Sequence, residues 1–477
     1  MKKFFSSPAR FLAVISVILL TIFWSVWFFT FRHYIIWLEG FSYFSTLPDF
    51  ASLYRNIPEG LPGYIGAFLH QFYSKPVLGA AIQAFFTIWP TVCLGIMLTR
   101  LFKEPVRLIW IAFIPMIFIA RRQFWDLLMF KTVIYSMIAT GLMLLTLIAT
   151  SIRRPAWNLP TFLRNKYLTL IFICFQLSNS IFVIVALEPR NREFEARAEL
   201  EYLGERGQWD EILRIVQPRD AKEDDFKRAY ALLALSEKGM LPDYAFRYGL
   251  SSSEDFVFRE TIEPIVLNFN ALFFQCNGMY NASIHQAYQL GVQSVTGMSF
   301  SSLRRMADIY LEIGDYELAR KYIDILSHTT CHKKWIRERM SRLESIRFSE
   351  PQYGAPMDGA TISSFSHTVS SMVDRYKDDS RYSDLLLCAL LADEEGDKFK
   401  KIFSYIAPYQ YNSGKAIPRL YEEAVILISI VDPHILDSYA ISEDTRMRFA
   451  DYVALMNARQ GNQALRKYAD TYWAYSY

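Results

Sequence analysis

The sequence predicts an all-α chain built from two materials: an N-terminal bundle of about five membrane-spanning helices, then an array of short helical hairpins. Three observations predict it. Hydrophobic residues make up 52% of the 477 positions and charged residues only 21%, with mean hydropathy +0.11. These values exclude a disordered tail protein and speak against an ordinary soluble enzyme. Charge divides the chain near Leu187: residues 1–187 carry 16 Lys/Arg against 5 Asp/Glu, and residues 188–477 carry 35 against 43. Beyond Pro189, apolar residues recur every three or four positions, the period of a half-buried helix. The expected organisation is a membrane domain over 1–187, hairpins over 188–348, a loop or linker over 349–371 and further hairpins over 372–477.

A bilayer core about 30 Å thick needs roughly 20 apolar residues in helix. Phe11–Thr30 meets this without a charge and follows Lys2, Lys3 and Arg10. A cleaved leader would have a shorter apolar core and a small-residue cleavage site. Here the run ends in Trp27, Phe28 and Phe29, which suits an uncleaved anchor with an interfacial aromatic belt. Val77–Thr99 is the second span, Thr132–Thr150 the fourth and Tyr167–Leu187 the fifth. The third, Leu108–Ala120, has 13 apolar residues before Arg121-Arg122 and reads as a short span or a re-entrant segment. With five spans and the N-terminus inside, the inner segments hold 10 Lys/Arg and the longer outer ones 6. That places the N-terminus in the cytoplasm and the C-terminal region in the periplasm. If Leu108–Ala120 does not cross, the C-terminal region changes side.

The first outer loop, Arg32–Lys75, carries Glu39, Asp49 and Glu59 among many aromatic residues. Acids after a first span are what a transferase acting on a lipid-linked substrate would use for metal binding or base catalysis. No paired acids occur, so the aromatics read as an interface-lying segment at headgroup depth. Asp126, flanked by Arg121, Arg122 and Lys131, is an ionisable group close to the membrane and hence a functional candidate. A salt-bridged interface turn is its plainer reading. If the chain is an enzyme, Glu39, Asp49 and Asp126 are its candidate catalytic residues.

In the soluble half a glycine recurs between helices, at Gly207, Gly239, Gly278 and Gly314, spaced 32, 39 and 36 residues apart, and again at Gly396 and Gly461. The clearest unit is Ser301–Cys331. Ala307 and Ala319 let two helices approach, Gly314 permits the left-handed turn between them, and Tyr310 and Tyr316 fill the groove to neighbouring helices. This is the pattern of a tetratricopeptide-like hairpin, and such units stack because one hairpin cannot bury its own apolar face. Arg304, Arg305, Tyr310, Tyr316 and Arg320 are the residues expected to contribute to a binding surface. The aromatic tail Asp470–Tyr477 is expected to dock on the last repeat as a cap, or to touch the membrane or a partner.

No phosphate-cradling loop, nucleophile elbow or His-Glu-x-x-His is present. His328, Cys331 and His332 share a helical neighbourhood, but no fourth ligand is nearby, so no metal or cofactor is expected. The basic run Lys333, Lys334, Arg337, Arg339 and Arg342 reads as a solvated helix face. The acidic balance of the second half excludes nucleic acid as a partner. The cysteines are scattered and do not indicate a disulfide framework.

Several phrases together carry a resemblance: PGYIGAFLHQFY at 62–73 with Gly79-Ala80 behind it, QWDEIL at 208–213, KGML at 238–241, GMYNA at 278–282, GDYELARKY at 314–322, PRLYEEA at 418–424 and TYW at 471–473. The chain resembles a family of Bacteroidetes membrane proteins of unknown function, which pair a multi-span region with a tetratricopeptide-like tail. The resemblance implies a Gram-negative inner membrane and brings no activity, cofactor or catalytic residue. The resulting expectation is an integral membrane protein, more a scaffold than an enzyme. Its partners would be the lipid bilayer and a protein or peptide on the repeats. The runner-up is an enzyme or transporter that handles a lipid-linked substrate through the first outer loop and the Arg121, Arg122 and Asp126 flank.

Overall fold

A computed structural model of the chain describes residues 8–103, 108–124, 126, 128–152, 157–158, 190–259, 261–346, 365–411 and 416–476. Its contacts divide into two compact units. The first gathers Met1–Glu199, Ser294–Ala307 and Tyr316–Pro351; the second gathers Leu200–Gln293, Asp308–Asp315 and Gln352–Tyr477. Packing therefore does not follow the charge boundary near Leu187, because residues up to Glu199 and two later segments of the acidic half fold with the N-terminal helices.

The first unit begins with α1 (Pro8–Thr30), α2 (Arg32–Phe41), α3 (Pro48–Leu53), α4 (Gly60–His70) and α5 (Pro76–Leu101). It continues with α6 (Ile114–Gln123), α7 (Phe130–Ile152) and the start of α8 (190–204). Three of these, α1, α5 and α7, are long and apolar enough to cross a membrane. That is fewer than the five spans expected. Tyr167–Leu187 lies outside the described residues. Leu108–Ala120 is not one long helix: a 3-10 turn, Ile109–Phe113, runs into α6, with Pro115 at the helix start and Arg121 and Arg122 in its last turn. Proline suits a first turn, where its missing N–H bonds nothing anyway, and so it marks a new helix beginning there.

Side-chain pairings fix the direction of each pass. The Trp24 indole N–H donates to the Val77 carbonyl, while Leu12 packs where a Cβ on Gly95 would sit. Hence α1 and α5 are antiparallel. Tyr73, just before α5, meets Met129, just before α7. Further along, Trp89 donates to Thr140 at 2.8 Å, so α5 and α7 run the same way. The chain between them returns: Phe113 packs with Leu12 and Ile96, whereas Gln123 bonds Thr87 and the Gln83 carbonyl at 2.9 Å each. The Ile109–Gln123 segment is thus antiparallel to α5. After α7, the Trp157 N–H donates to the Leu101 carbonyl, keeping the chain at that end of the bundle.

The segments from the acidic half that belong to this unit are the first part of α15 (Phe300–Ile313), then α16 (Tyr316–Ser327) and α17 (Lys333–Ile346).

The second unit holds α9 (Trp209–Ile215), α10 (Pro218–Glu223), α11 (Asp225–Glu237), α12 (Leu241–Tyr244), α13 (Pro264–Cys276) and α14 (Tyr280–Gln293). It resumes with α18 (Phe365–Arg375), α19 (Ser380–Ala392), α20 (Gly396–Gln410), α21 (Arg419–Ser429), α22 (Glu443–Asn457), α23 (Gly461–Lys467) and α24 (Tyr472–Tyr475). One helix ending recurs. A left-handed residue follows the helix, and the next N–H donates to the carbonyl five residues back. It closes at Gly207, Gly239 and Gly278 and also at Glu394 and Arg459 (φ between 57° and 66°), through Gln208 to Leu203, Met240 to Leu235, Met279 to Phe274, Glu395 to Leu390 and Gln460 to Leu455. Gly396 and Gly461, expected as the turn residues, instead open the following helices. The expected linker over 349–371 also ends early, since α18 begins at Phe365 and buries Phe365, Thr368, Val369, Met372 and Val373.

The tail packs within this unit. The Tyr472 N–H donates to Glu423 at 2.6 Å and its hydroxyl to the Leu391 carbonyl at 3.0 Å. Trp473 packs with Tyr452 and Tyr468, and the Tyr475 hydroxyl donates to the Leu250 carbonyl at 2.7 Å.

A left-handed conformation strains an L residue by about 1–2 kcal/mol and leaves glycine unstrained. Glu394→Gly and Arg459→Gly are therefore expected to raise the thermal midpoint, measured by circular dichroism in detergent. Gly239→Ala, whose added methyl meets no atom within 4 Å, is expected to lower it through backbone strain alone. A lower midpoint for Glu394→Gly would contradict this reading of the turns.

Candidate functional site

The first loop is the most elaborately built part of the first unit, and α2 is its axis. Phe31, at the N-cap of α2, supplies no capping side chain. The cap comes from Glu195 on α8. One carboxylate oxygen accepts the His33 backbone N–H at 2.9 Å and meets the His33 ring Nδ1 at 2.9 Å; the other accepts the Tyr34 N–H at 2.7 Å. A carboxylate here satisfies orphan donors and complements the helix dipole. Beside it, the Phe194 ring packs edge-on against Tyr34 and Trp37, with centroids 5.1 and 4.8 Å away.

The other end of α2 is held by the segment around α15–α17. Glu39, 7% exposed, meets His332 Nε2 at 2.5 Å. The imidazole stacks on Phe300 with ring centroids 3.7 Å apart. Next to Glu39, a Cβ on Gly40 would lie 2.5 Å from the Ser301 hydroxyl oxygen, so α2 passes close to the start of α15 and a larger residue there would turn the serine hydroxyl aside. Main-chain bonds extend the seam: the Phe300 N–H donates to the Ser42 carbonyl and the Thr46 N–H to the His328 carbonyl, both at 3.0 Å. The Tyr43 hydroxyl donates to the Ile325 carbonyl at 3.1 Å. Gln71 accepts both the N–H and the hydroxyl of Thr330 at 2.8 Å.

The loop aromatics expected at headgroup depth are instead buried inside the protein. Tyr34, Trp37, Phe41, Tyr43, Phe44, Phe50 and Tyr54 are all buried. Their rings pack in two groups, Tyr34, Trp37 and Phe41 with Trp27 and Phe124, and Tyr43, Phe44, Phe50 and Tyr54 with Tyr64 and Phe68. An interfacial aromatic belt and a buried aromatic core have the same composition, and only the tertiary partners separate them.

The three candidate acids serve different helices. Glu39 is engaged by His332. Asp49 is exposed in the first turn of α3. Asp126 is buried, and its carboxylate accepts the N–H groups of Lys131 and Thr132 at 2.7 and 3.1 Å, which caps α7. Burial pushes the Asp126 carboxyl up from its usual range, and those two N–H donors and the positive charges of Arg122 and Lys131 partly offset the rise. The turn it organises is tight: Met129 has φ 55°, and a Cβ on Gly66 would fall 1.9 Å from the Leu128 carbonyl oxygen.

Of the residues expected on a binding surface, Arg305 is 4% exposed. It shares a face of α15 with Ser302, Met306 and Ile309, all buried, so it belongs to the packing rather than the surface. Arg304, Tyr310, Tyr316 and Arg320 are half-buried. His328 contributes its carbonyl to the seam. Among the described residues no group of three or more His, Cys, Asp or Glu could hold a metal ion. Sequence reasoning passed over His70, which is fully buried with neither ring nitrogen hydrogen-bonded among the described residues. Burial lowers its pKa to about 3 and keeps the ring neutral. It also missed Glu195 and the pairing of Glu39 with His332, 293 residues apart.

A family model matches residues 7–188 and 160–477, which together span nearly the whole chain. The chain belongs to DUF6057, a family of unknown function. No curated protein and no solved structure matches it.

A hydrogen bond to a charged group contributes about 1.5–3 kcal/mol. A double-mutant cycle of Glu39→Ala and His332→Ala, read by denaturant unfolding, is expected to give a coupling of about 1–3 kcal/mol. Asp49→Ala is expected to stay within about 0.5 kcal/mol of the parent, as exposed positions do. Additive effects of the two seam substitutions would contradict the pairing.

Proposed function

We propose that this protein is a multi-pass inner-membrane protein that presents a tetratricopeptide-like helical array to the periplasm as a docking surface for a protein or peptide. The observation that carries this reading is the recurring left-handed helix ending at Gly207, Gly239, Gly278, Glu394 and Arg459. It is the turn that a tetratricopeptide-like hairpin uses, and stacked hairpins of that kind form an extended face suited to another chain. The first loop acts as a socket that holds residues 294–307 and 316–346 against the long apolar helices.

The direction of the passes supports the topology. The first loop and the segment seated on it lie at the Thr30 end of α1, opposite the end that Lys2, Lys3 and Arg10 precede. The chain leaves α7 at the Leu101 end and meets α2 through Glu195 at the other end. That supports an odd number of passes, five by the sequence count, with the repeats across the membrane from the N-terminus. The excess of Lys/Arg in the inner segments supports a cytoplasmic N-terminus. The burial of Glu39 against His332 supports a structural role for this acid over a catalytic one.

Photo-crosslinking from benzoylphenylalanine placed at Val292 and Ile262, 72% and 75% exposed, tests the docking reading in living cells. Discrete protein adducts are expected from at least one position. Adducts absent from a whole set of exposed positions across the second unit would contradict a docking role.

A further inference from the structure

A groove of about 720 Å³ opens between α5, α6 and α7 in the first unit. Its volume falls within the range of small-ligand pockets, about 300–1,000 Å³. The walls are apolar, with Leu94 and Met97 from α5, Phe118 from α6 and Ile138 and Leu142 from α7, and the exception is one end, where Arg121 and Arg122 line it. Phe118, Ile138 and Leu142 are 69%, 55% and 50% exposed, so the groove opens sideways, toward the surroundings of the bundle.

The two arginines are unusually placed. Neither has a carboxylate within ion-pair distance among the described residues, and Arg122 Nε is buried without a hydrogen-bond partner. Asp126, the neighbouring acid, is committed to the N–H groups of Lys131 and Thr132. Arg121 is exposed and Arg122 half-buried, and the acid whose charge acts on Arg122 is Asp126. The planar fork matches carboxylate and phosphate bidentately, and phospholipid headgroups supply the phosphate. Depth agrees with this. Gln123, one residue past the pair, bonds Gln83 and Thr87, seven and eleven residues into α5. At about 1.5 Å per residue the arginines lie roughly 10–16 Å inside the end of a helix about 39 Å long. A bilayer core takes up about 30 Å of that length. Centred on that helix, the core would begin about 4–5 Å from its end. The backbone of the pair therefore lies below the headgroup boundary on the end marked by Lys75 and Lys131, at a depth from which an arginine side chain extends back toward the headgroups.

We propose that this groove is a binding site for an anionic phospholipid of the bilayer, with an acyl chain along Leu94, Ile138 and Leu142 and the phosphate on Arg121 and Arg122. Charge selects the occupant: an apolar groove would accept any chain, and the unpaired guanidinium groups make an anionic headgroup the fitting one. The site rests on the reading of α1, α5 and α7 as membrane spans.

The test uses the full chain in nanodiscs of phosphatidylcholine that carry a trace of photoactivatable phosphatidylglycerol or, in a parallel sample, photoactivatable phosphatidylcholine. Labelling is expected to concentrate on peptides of α5–α7 and to favour phosphatidylglycerol at least fivefold. Arg121→Gln with Arg122→Gln is expected to abolish the preference. Ala139→Trp, which fills the groove, is expected to reduce labelling by both lipids. Arg121→Lys with Arg122→Lys keeps the charge and is expected to retain most of the preference, so it serves if the glutamine pair fails to fold. Equal labelling by the two lipids, or a preference unchanged in a folded glutamine pair, would overturn the site. Carbonate extraction of the parent protein separates the two failures. Release from the membrane pellet would sink the span reading itself, whereas retention with unselective labelling would sink only the lipid site.

Discussion

One ten-residue helix, α2, is held at both ends by residues that lie far away in sequence, and the first unit depends on those two grips. At its N-terminus the Glu195 carboxylate satisfies N–H groups that no local side chain caps. Near its C-terminus Glu39 meets His332, which is braced on Phe300. Because α2 follows α1 after a single residue, whatever grips α2 is placed at the Thr30 end of α1. The grips therefore carry topological information as well as stability. They bring α8 and the α15–α17 segment to the same end of the bundle, away from the end where α5 finishes and α7 leaves.

The passes between these points follow from ordinary packing. Two long helices that run the same way need a return between them, and Ile109–Gln123 supplies it although it is too short for a conventional span. A 3-10 turn gives about 2.0 Å per residue against 1.5 Å for an α-helix, so five residues of it lengthen the return. Polar contacts from Gln123 to Thr87 and Gln83 secure the return inside the bundle. Such bonds are favoured where water is scarce.

Much of this was legible in the sequence, and what was not has physical reasons. Hydropathy over 18 or more residues is a strong signal, and α1, α5 and α7 are found from it. Gly207, Gly239, Gly278 and Gly314 announce their turns because glycine alone adopts a left-handed backbone without strain. Glu394 and Arg459 occupy the same conformation with side chains that give no hint of it, so Gly396 and Gly461 drew attention two residues too late. The return segment was ambiguous because Pro115 and the Arg121-Arg122 pair cut its apolar run short. Glu39 looked like a loop acid because nothing local reveals a partner 293 residues on. The same limit hid Glu195, whose ligands are the backbone N–H groups of another helix.

The central claim is that the first loop and the segment seated on it face one side of the membrane while the Leu101 end of the bundle faces the other. Cys331 is exposed on the seated segment, and Arg100 is exposed at the opposite end of α5. The direct measurement is labelling with a membrane-impermeant maleimide in spheroplasts. It compares a variant that keeps Cys331 as its single cysteine with a cysteine-free variant carrying Arg100→Cys. The account predicts that Cys331 reacts in intact spheroplasts and that the cysteine at 100 reacts only after lysis. Labelling of both from the same side would contradict it.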